Sequence, residues 1–323
     1  MNQGKQQEAG LVSIVIPARN EAGHIHTVLD AIGAQQDVGA TIEVIVVDDA
    51  STDATPSIAA NAGARVIAID SASAGNPARA RNIGARAAKG DPIVFLDADC
   101  VPTERWLTSL LNAVRTRATV VGGALDLPPG LGLVARCDYY CGCYFIHSGR
   151  PAGYVPHHPP NNLAVRREPF LQSRGFSEQA PLSYTNEERL WLGELVSAGH
   201  RIYFSPEAAI QHFNRPGFGN LMRRNYRWGY TALEAKSQSQ STRLTGFFNR
   251  PWLVLLSAPL LPFAFTLQII AAWLSARVIE PLWMSPLIFV SRIAYVAGMV
   301  VGGVRWLRSG DADGARSRPS PRW

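Results

Sequence analysis

Phe95-Leu96-Asp97-Ala98-Asp99 sets two carboxylates one residue apart at the end of an apolar run. Residues 93–96 read as a short buried strand, entered through the turn signal Gly90-Asp91-Pro92. A strand that stops there delivers both carboxylates to the carboxyl edge of a sheet, where open α/β folds bind ligands. Carboxylate oxygens suit a hard divalent ion such as Mg2+ or Mn2+, which completes its shell with substrate phosphates. An Asp-x-Asp pair on its own is equally a surface turn, so the surrounding segments decide.

Upstream, short apolar strands alternate with amphipathic stretches. Strands are predicted over 12–16, 42–47 and 65–69, and helices over 21–32, 52–60 and 77–88. Ser51 or Thr52 is the expected cap of the second helix. Repeated βα units imply a mostly parallel sheet covered on both faces. Pro17, Asp48, Asp49 and Asp97 should therefore open onto one crevice. Residues 120–160 read as loops around a substrate pocket. Strands return at 161–165, 202–204 and 208–211, with a helix over 190–198.

The chain has 323 residues, 47% of them hydrophobic and 17% charged, with a formal net charge of +6. No aromatic-basic interleaving points to nucleic acid. Residues 1–10 are polar, so no secretory signal peptide is expected. Cys137, Cys141 and Cys143 lie near His147, His157 and His158, but the spacing matches no zinc knuckle, and reduced cysteines are the expectation.

Four motifs in order carry a family resemblance: Val12-Ser-Ile-Val-Ile-Pro-Ala-Arg-Asn-Glu21, Val46-Val-Asp-Asp-Ala-Ser-Thr-Asp53, Ala80-Arg-Asn-Ile-Gly84 and Phe95-Leu-Asp-Ala-Asp99, followed by Asn186-Glu187. From about residue 12 to 228 the chain resembles the family 2 inverting glycosyltransferases. The resemblance implies the GT-A nucleotide-diphospho-sugar transferase fold over 11–235, a mostly parallel sheet flanked by helices. It also implies site roles. Pro17, Arg19 and Glu21 would line the base and ribose, and Asp49 would accept a hydrogen bond from the base, Asp48 being structural. Arg81 would lie near the diphosphate, or else be a plain helix-surface arginine. Asp97 would contact the ribose or metal region and Asp99 would ligate Mg2+ or Mn2+. His212 is a second candidate ligand or simply a packed histidine. The base would be Glu187, standing where the family usually has Asp, with Asn186 replacing the preceding Glu; Glu188 competes. In Arg224-Asn-Tyr-Arg227-Trp228, Arg227 would contact the diphosphate and Trp228 would wall the acceptor; alternatively this is an amphipathic helix at a membrane surface.

Two apolar runs, within 252–306, are each long enough to cross a bilayer core of roughly 30 Å. They predict a two-helix transmembrane hairpin after a linker over 236–251 and before a disordered basic tail over 307–323. Arg243 and Arg250 precede the runs and Arg305, Arg308 and Arg316 follow, which places the catalytic domain on the cytoplasmic side of the inner membrane. Arg292, inside the second run, must turn inward or mark a re-entrant segment. The expected function is metal-dependent transfer of a sugar from a nucleotide-diphosphate donor, UDP by default, to a hydroxyl of a glycan or lipid-linked acceptor in cell-envelope synthesis. The alternatives are a polyprenyl-phosphate acceptor, which needs no strong base, and a non-catalytic scaffold subunit of a polysaccharide synthase.

Overall fold

The computed structural model describes residues 10–179, 185–213, 217–239 and 250–308. The expected tails, most of the linker, Arg243 and Arg316 lie outside them. The parallel half of the sheet comes from the βα units: β1 (Gly10–Ala18) pairs with β2 (Ala40–Asp48) and β4 (Ile93–Leu96), and β2 with β3 (Arg65–Ala68). Between these strands run α1 (Ile25–Gly33), α2 (Thr55–Asn61) and α3 (Pro77–Ala87).

The sheet as a whole is mixed, which corrects the expected mostly parallel order. Here β8 (Asn162–Val165) runs antiparallel to β4 and to β6 (Val120–Asp126). A single long strand, β9 (Ile202–His212), pairs parallel with β6 and antiparallel with β5 (Cys100–Pro102) and β7 (Gly153–Val155). The path is β3-β2-β1-β4-β8-β6-β9-β5, with β7 attached to β9. Residues 120–160 thus hold β6, α5 (Leu133–Cys143) and β7 as well as loops. The glycines that hid β6 are demanded by packing: a Cβ on Gly122 would collide with His158, and one on Gly123 with Asn162 and the Ala208 carbonyl. The capping expectation also fails, because Ala54 is the N-cap of α2 and Asp53 accepts from the Thr55 amide instead (3.0 Å).

Helix α4 (Trp106–Thr116) packs with α1 and α2 on the face of Val12, Ile14 and Ile16. On the opposite face, that of Val15, Ile45 and Phe95, α6 (Arg167–Gln172) and α7 (Glu187–Ser197) pack with α3. Helix α8 (Phe218–Ser239) follows β9. The first apolar run is not one membrane-length helix. It divides into α9 (Pro251–Ser257) and α10 (Leu261–Ser275), where Pro259 lacks an amide donor and Pro262 opens the new helix. A short α11 (Glu280–Trp283) leads to α12 (Ser285–Arg308). By length and composition α12 alone, among the described residues, is long and apolar enough to cross a membrane, and the expected two-helix hairpin is not shown.

These helices pack on the domain. Ile269, Trp273, Met284 and Ile288 join the same buried core as β1 and α4. The backbones of α8 and α12 approach so closely that a Cβ on Gly229 would strike the Tyr295 carbonyl, and one on Gly298 the Tyr226 carbonyl. Arg292 is turned inward, bonded to Asn225 of α8 and buried. Overpacking of this kind costs about 1–3 kcal/mol. G298A should therefore lower the melting midpoint of detergent-solubilised protein. The control G219A, at a helical glycine with open space around it, should not. Equal melting of the two would contradict the packing.

Candidate active site

Arg81 is the centre of the crevice. Its helix α3 starts with Asn76 as N-cap, whose side chain accepts from the Arg79 amide (3.0 Å). Gly84 lets this helix press onto the sheet, since a Cβ there would collide with Val15 and Val47. One turn earlier on the same helix, Arg81 reaches two carboxylates from distant elements. Its Nη2 donates to Asp97 Oδ1 at 2.6 Å and its Nη1 to Glu187 Oε1 at 2.7 Å. The side chain is 5% exposed, so these are not the weak ion pairs of a surface. Burial opposes the guanidinium charge, but Asp97 and Glu187 outweigh it and raise the Arg81 pKa. Both terminal nitrogens are thereby engaged by protein carboxylates, and the surface-arginine alternative does not describe this residue.

Glu187 opens α7 and is buried. Burial lifts its pKa, Arg81 pulls it back, and neighbouring Glu188 lifts it again, to about 7. The helix start is held from several sides. Asn186 adopts a left-handed backbone (φ 62°), which asparagine tolerates well. Its Nδ2 donates to Thr231 of α8 (2.7 Å) and its Oδ1 accepts from Arg189 (2.8 Å). Glu188 points to another partner: its carboxylate lies 3.0 Å from Nε2 of His157, and both side chains are buried. Burial raises the Glu188 pKa and drives that of His157 well below the usual imidazole range. The neighbouring carboxylates Glu187 and Glu188 thus face different groups, one the crevice arginine and the other a histidine.

Behind them a ring cluster fixes the angle of α7. Phe95, next to the strand end that presents Asp97, stands edge-on to Phe176 (4.9 Å), which packs on Trp191 of α7 (4.7 Å). Asn82 of α3 closes the frame, accepting from the Phe176 amide (2.9 Å) and donating to its carbonyl (2.9 Å).

Asp99 lies in the turn between β4 and β5. Because Cys100 pairs in register with His212 at the end of β9, the His212 Nε2 comes within 3.6 Å of Asp99 Oδ1. With the Cys100 sulfur, these ligand atoms fall within 4.8 Å of one another. The carboxylate and imidazole fit a divalent ion. The Cys100 thiol is fully buried and soft, a poor match for Mg2+ or Mn2+. The four cysteines are free and buried.

On the other side of Asp97, the Asp49 carboxylate accepts from the Gly75 amide (2.8 Å) and Arg19 comes within 4.0 Å. Glu21 is buried against His24 (3.1 Å), while its amide donates to Thr55 (2.8 Å). Asp48 accepts from the Ser51 amide (3.3 Å), and Pro17 stands beside Val47 in register. Trp228 rests on Gly142 of α5 with Arg224 over its ring (5.3 Å), so its ring forms part of the join between α8 and α5. Arg227 is exposed on α8. His157 and Cys100 are the site neighbours that sequence reading did not assign. Each is adjacent through a sheet or loop contact that no local signal records.

Residues 13–170 match Glycosyl transferase family 2. Glycosyltransferase AglE of Haloferax volcanii is 28% identical over 225 residues, covering 68% of this chain and 71% of that protein. The pre-mycofactocin glycosyltransferase of Mycobacterium tuberculosis is 28% identical over 235 residues. There the match covers 68% of this chain and 46% of the relative, so the chain spans under half of that protein's length. Among solved structures, a mannosyltransferase from Pyrobaculum calidifontis in complex with GDP-Man and Mn2+ superposes with TM-score 0.62 at 19% identity, over 94% of this chain and 88% of that one. S. aureus TarS 1-349 in complex with UDP gives 0.51 at 17%, over 93% and 91%.

If Asp99 and His212 form the cation site, D99N should weaken Mn2+ binding, measured calorimetrically with a nucleoside diphosphate present, by about tenfold or more. C100S should bind normally. Equal loss in C100S would make the thiol a ligand.

Proposed function

We propose a reading for a chain that carries a glycosyl transferase family 2 domain, and is a glycosyltransferase of GT-A fold. It transfers one sugar, with inversion, from a nucleoside-diphosphate donor to a hydroxyl of a glycan or lipid-linked acceptor at the cytoplasmic face of a membrane. The observation that carries this is the Arg81 bridge, which sets a buried carboxylate poised near pH 7 beside the strand end that bears Asp97 and Asp99.

In this reading the donor's nucleoside lies along Pro17, Arg19, Glu21 and Asp49, with uridine as the default base. Asp99, with His212, would hold a divalent ion at the diphosphate end, and Asp97 would contact the ribose or metal region. When bound, Mg2+ or Mn2+ neutralises the charge that develops on the leaving diphosphate. The divalent ion and GDP-Man or UDP bound by structural neighbours lend support by analogy. Glu187 takes the acceptor hydroxyl proton as its oxygen attacks the anomeric carbon. The bond from that carbon to the diphosphate oxygen breaks on the opposite side, and the nucleoside diphosphate leaves. A base is most effective when its pKa lies near the working pH, where it is both unprotonated and basic enough. Arg81 acts here as a positioning residue, holding Glu187 against the pull of desolvation. Arg227, exposed on α8, is placed by this reading toward the diphosphate and Trp228 toward the acceptor side.

The pairing of Glu188 with His157 favours Glu187 as the base in this reading. Loss of a general base typically costs roughly 10²–10⁴-fold in rate. E187Q should therefore lower kcat by at least about a hundredfold while donor affinity, read by calorimetry, stays within a few fold. E188Q should keep most of its turnover. Near-normal turnover in E187Q would mean an acceptor that needs no base, such as a polyprenyl phosphate. Collapse in E188Q alone would move the role to Glu188.

A further inference from the structure

We infer that this chain is held in one leaflet, with α9 to α12 lying in the plane of the membrane on the same side as the catalytic domain, and not by a segment that crosses the bilayer. The inference rests on the membrane association proposed above and holds for any sugar or acceptor.

The junction between the two apolar runs decides the geometry. In a spanning hairpin it would stand across roughly 30 Å of hydrocarbon from the catalytic domain. Here it is bound to that domain. The Glu280 carboxylate takes hydrogen bonds from Arg136 (Nε, 2.7 Å) and Tyr140 (2.6 Å), both on α5. Just before the junction, the Trp273 indole donates to the Tyr140 carbonyl (3.0 Å) and stacks on His147 at 4.1 Å. The end of α10 and the short α11 therefore both rest on α5.

The inner face of α12 is equally committed. It lies along α8 through Gly229, Gly298 and Gly302, with Arg292 bonded to Asn225 and Arg305 paired with Glu234. Helix α8 also carries Arg223, Arg227 and Lys236, which makes it a poor neighbour for acyl chains. Hydrocarbon has access to one side of α12 only.

That outer side is apolar. Trp252, Leu256, Phe263, Leu267, Ile279 and Trp283 are exposed, Leu256 at 76% and Trp283 at 78%. On α12 the exposed stripe is Val290, Ile293 and Val301. Soluble monomers rarely show so much contiguous apolar surface. Around it, every exposed charged residue among the described positions from 217 to 308 is an arginine: Arg223, Arg227, Arg250, Arg277 and Arg308. The two acidic groups in this region, Glu234 and Glu280, are partly buried and ion-paired. A basic rim around an apolar face matches anionic phospholipid headgroups over acyl chains. It disfavours a second copy of the same face, since the two rims would repel.

The test uses the full chain bound to sealed vesicles of phosphatidylglycerol and phosphatidylcholine, with a membrane-impermeant maleimide outside. All four native cysteines are buried and serve as a silent background. R277C, at the junction, and S57C, exposed on α2, each introduce one reactive thiol. Both should label to the same extent, with no gain when detergent opens the vesicles. A second pair of variants, L267E and L256E, changes exposed side chains only and should cut the vesicle-bound fraction about tenfold. Protection of R277C until detergent is added, with S57C reactive throughout, would overturn the in-plane placement while leaving membrane association intact. Wild-type protein that does not float with vesicles, or that buries this face as a dimer, would overturn both.

Discussion

The structure turns on one buried guanidinium shared by two carboxylates from opposite ends of the domain. Arg81 reaches the strand end at Asp97 and the helix start at Glu187, and each of the three charges would be costly to bury alone. The cation balances this cost only because the surrounding elements hold the geometry. Gly84 brings α3 onto the sheet, Asn82 clamps the backbone of Phe176, and Phe95, Phe176 and Trp191 fix α7 at the angle that points Glu187 inward. Removing one partner would leave an uncompensated charge in the crevice, so folding and site geometry are coupled at this point.

The same bridge explains how two successive glutamates acquire different characters. Glu187 is balanced between desolvation and Arg81, whereas Glu188 is turned to His157, with burial raising its pKa and Arg189 opposing that rise. Asn186 has its own structural reason. Its left-handed turn and its bond to Thr231 tie the start of α7 to α8, and α8 in turn carries α12. The Glu187 carboxylate is thus linked, through one side-chain amide, to the C-terminal apolar helices.

Much of this was legible in the chain. The βα alternation to residue 96 gives β1 to β4 because each strand is a dense apolar run and each helix has one apolar stripe. The Asp-x-Asp at the strand end marked the crevice. What could not be read arises from contacts between distant segments. His212 meets Asp99 only because β9 pairs with β5, and β9 reads as two short strands in the sequence because Pro206 interrupts its pattern. Strand β6 was hidden by Gly122 and Gly123, which are there to admit His158 and Asn162. Helix α5 is buried on nearly every side, so it shows no amphipathic stripe. The C-terminal runs are apolar by composition, yet composition cannot show that Glu280 returns to Arg136.

The most direct test of the central bridge is the pH dependence of kcat/KM, measured in parallel on wild type and R81Q. In wild type the rate should rise with pH around a midpoint near 7, as Glu187 loses its proton. Taking away the cation removes the influence that lowers this pKa, so in R81Q the rising limb should move to higher pH, with turnover partly recovered there. A limb that stays in place, or moves to lower pH, would show that Arg81 does not govern Glu187.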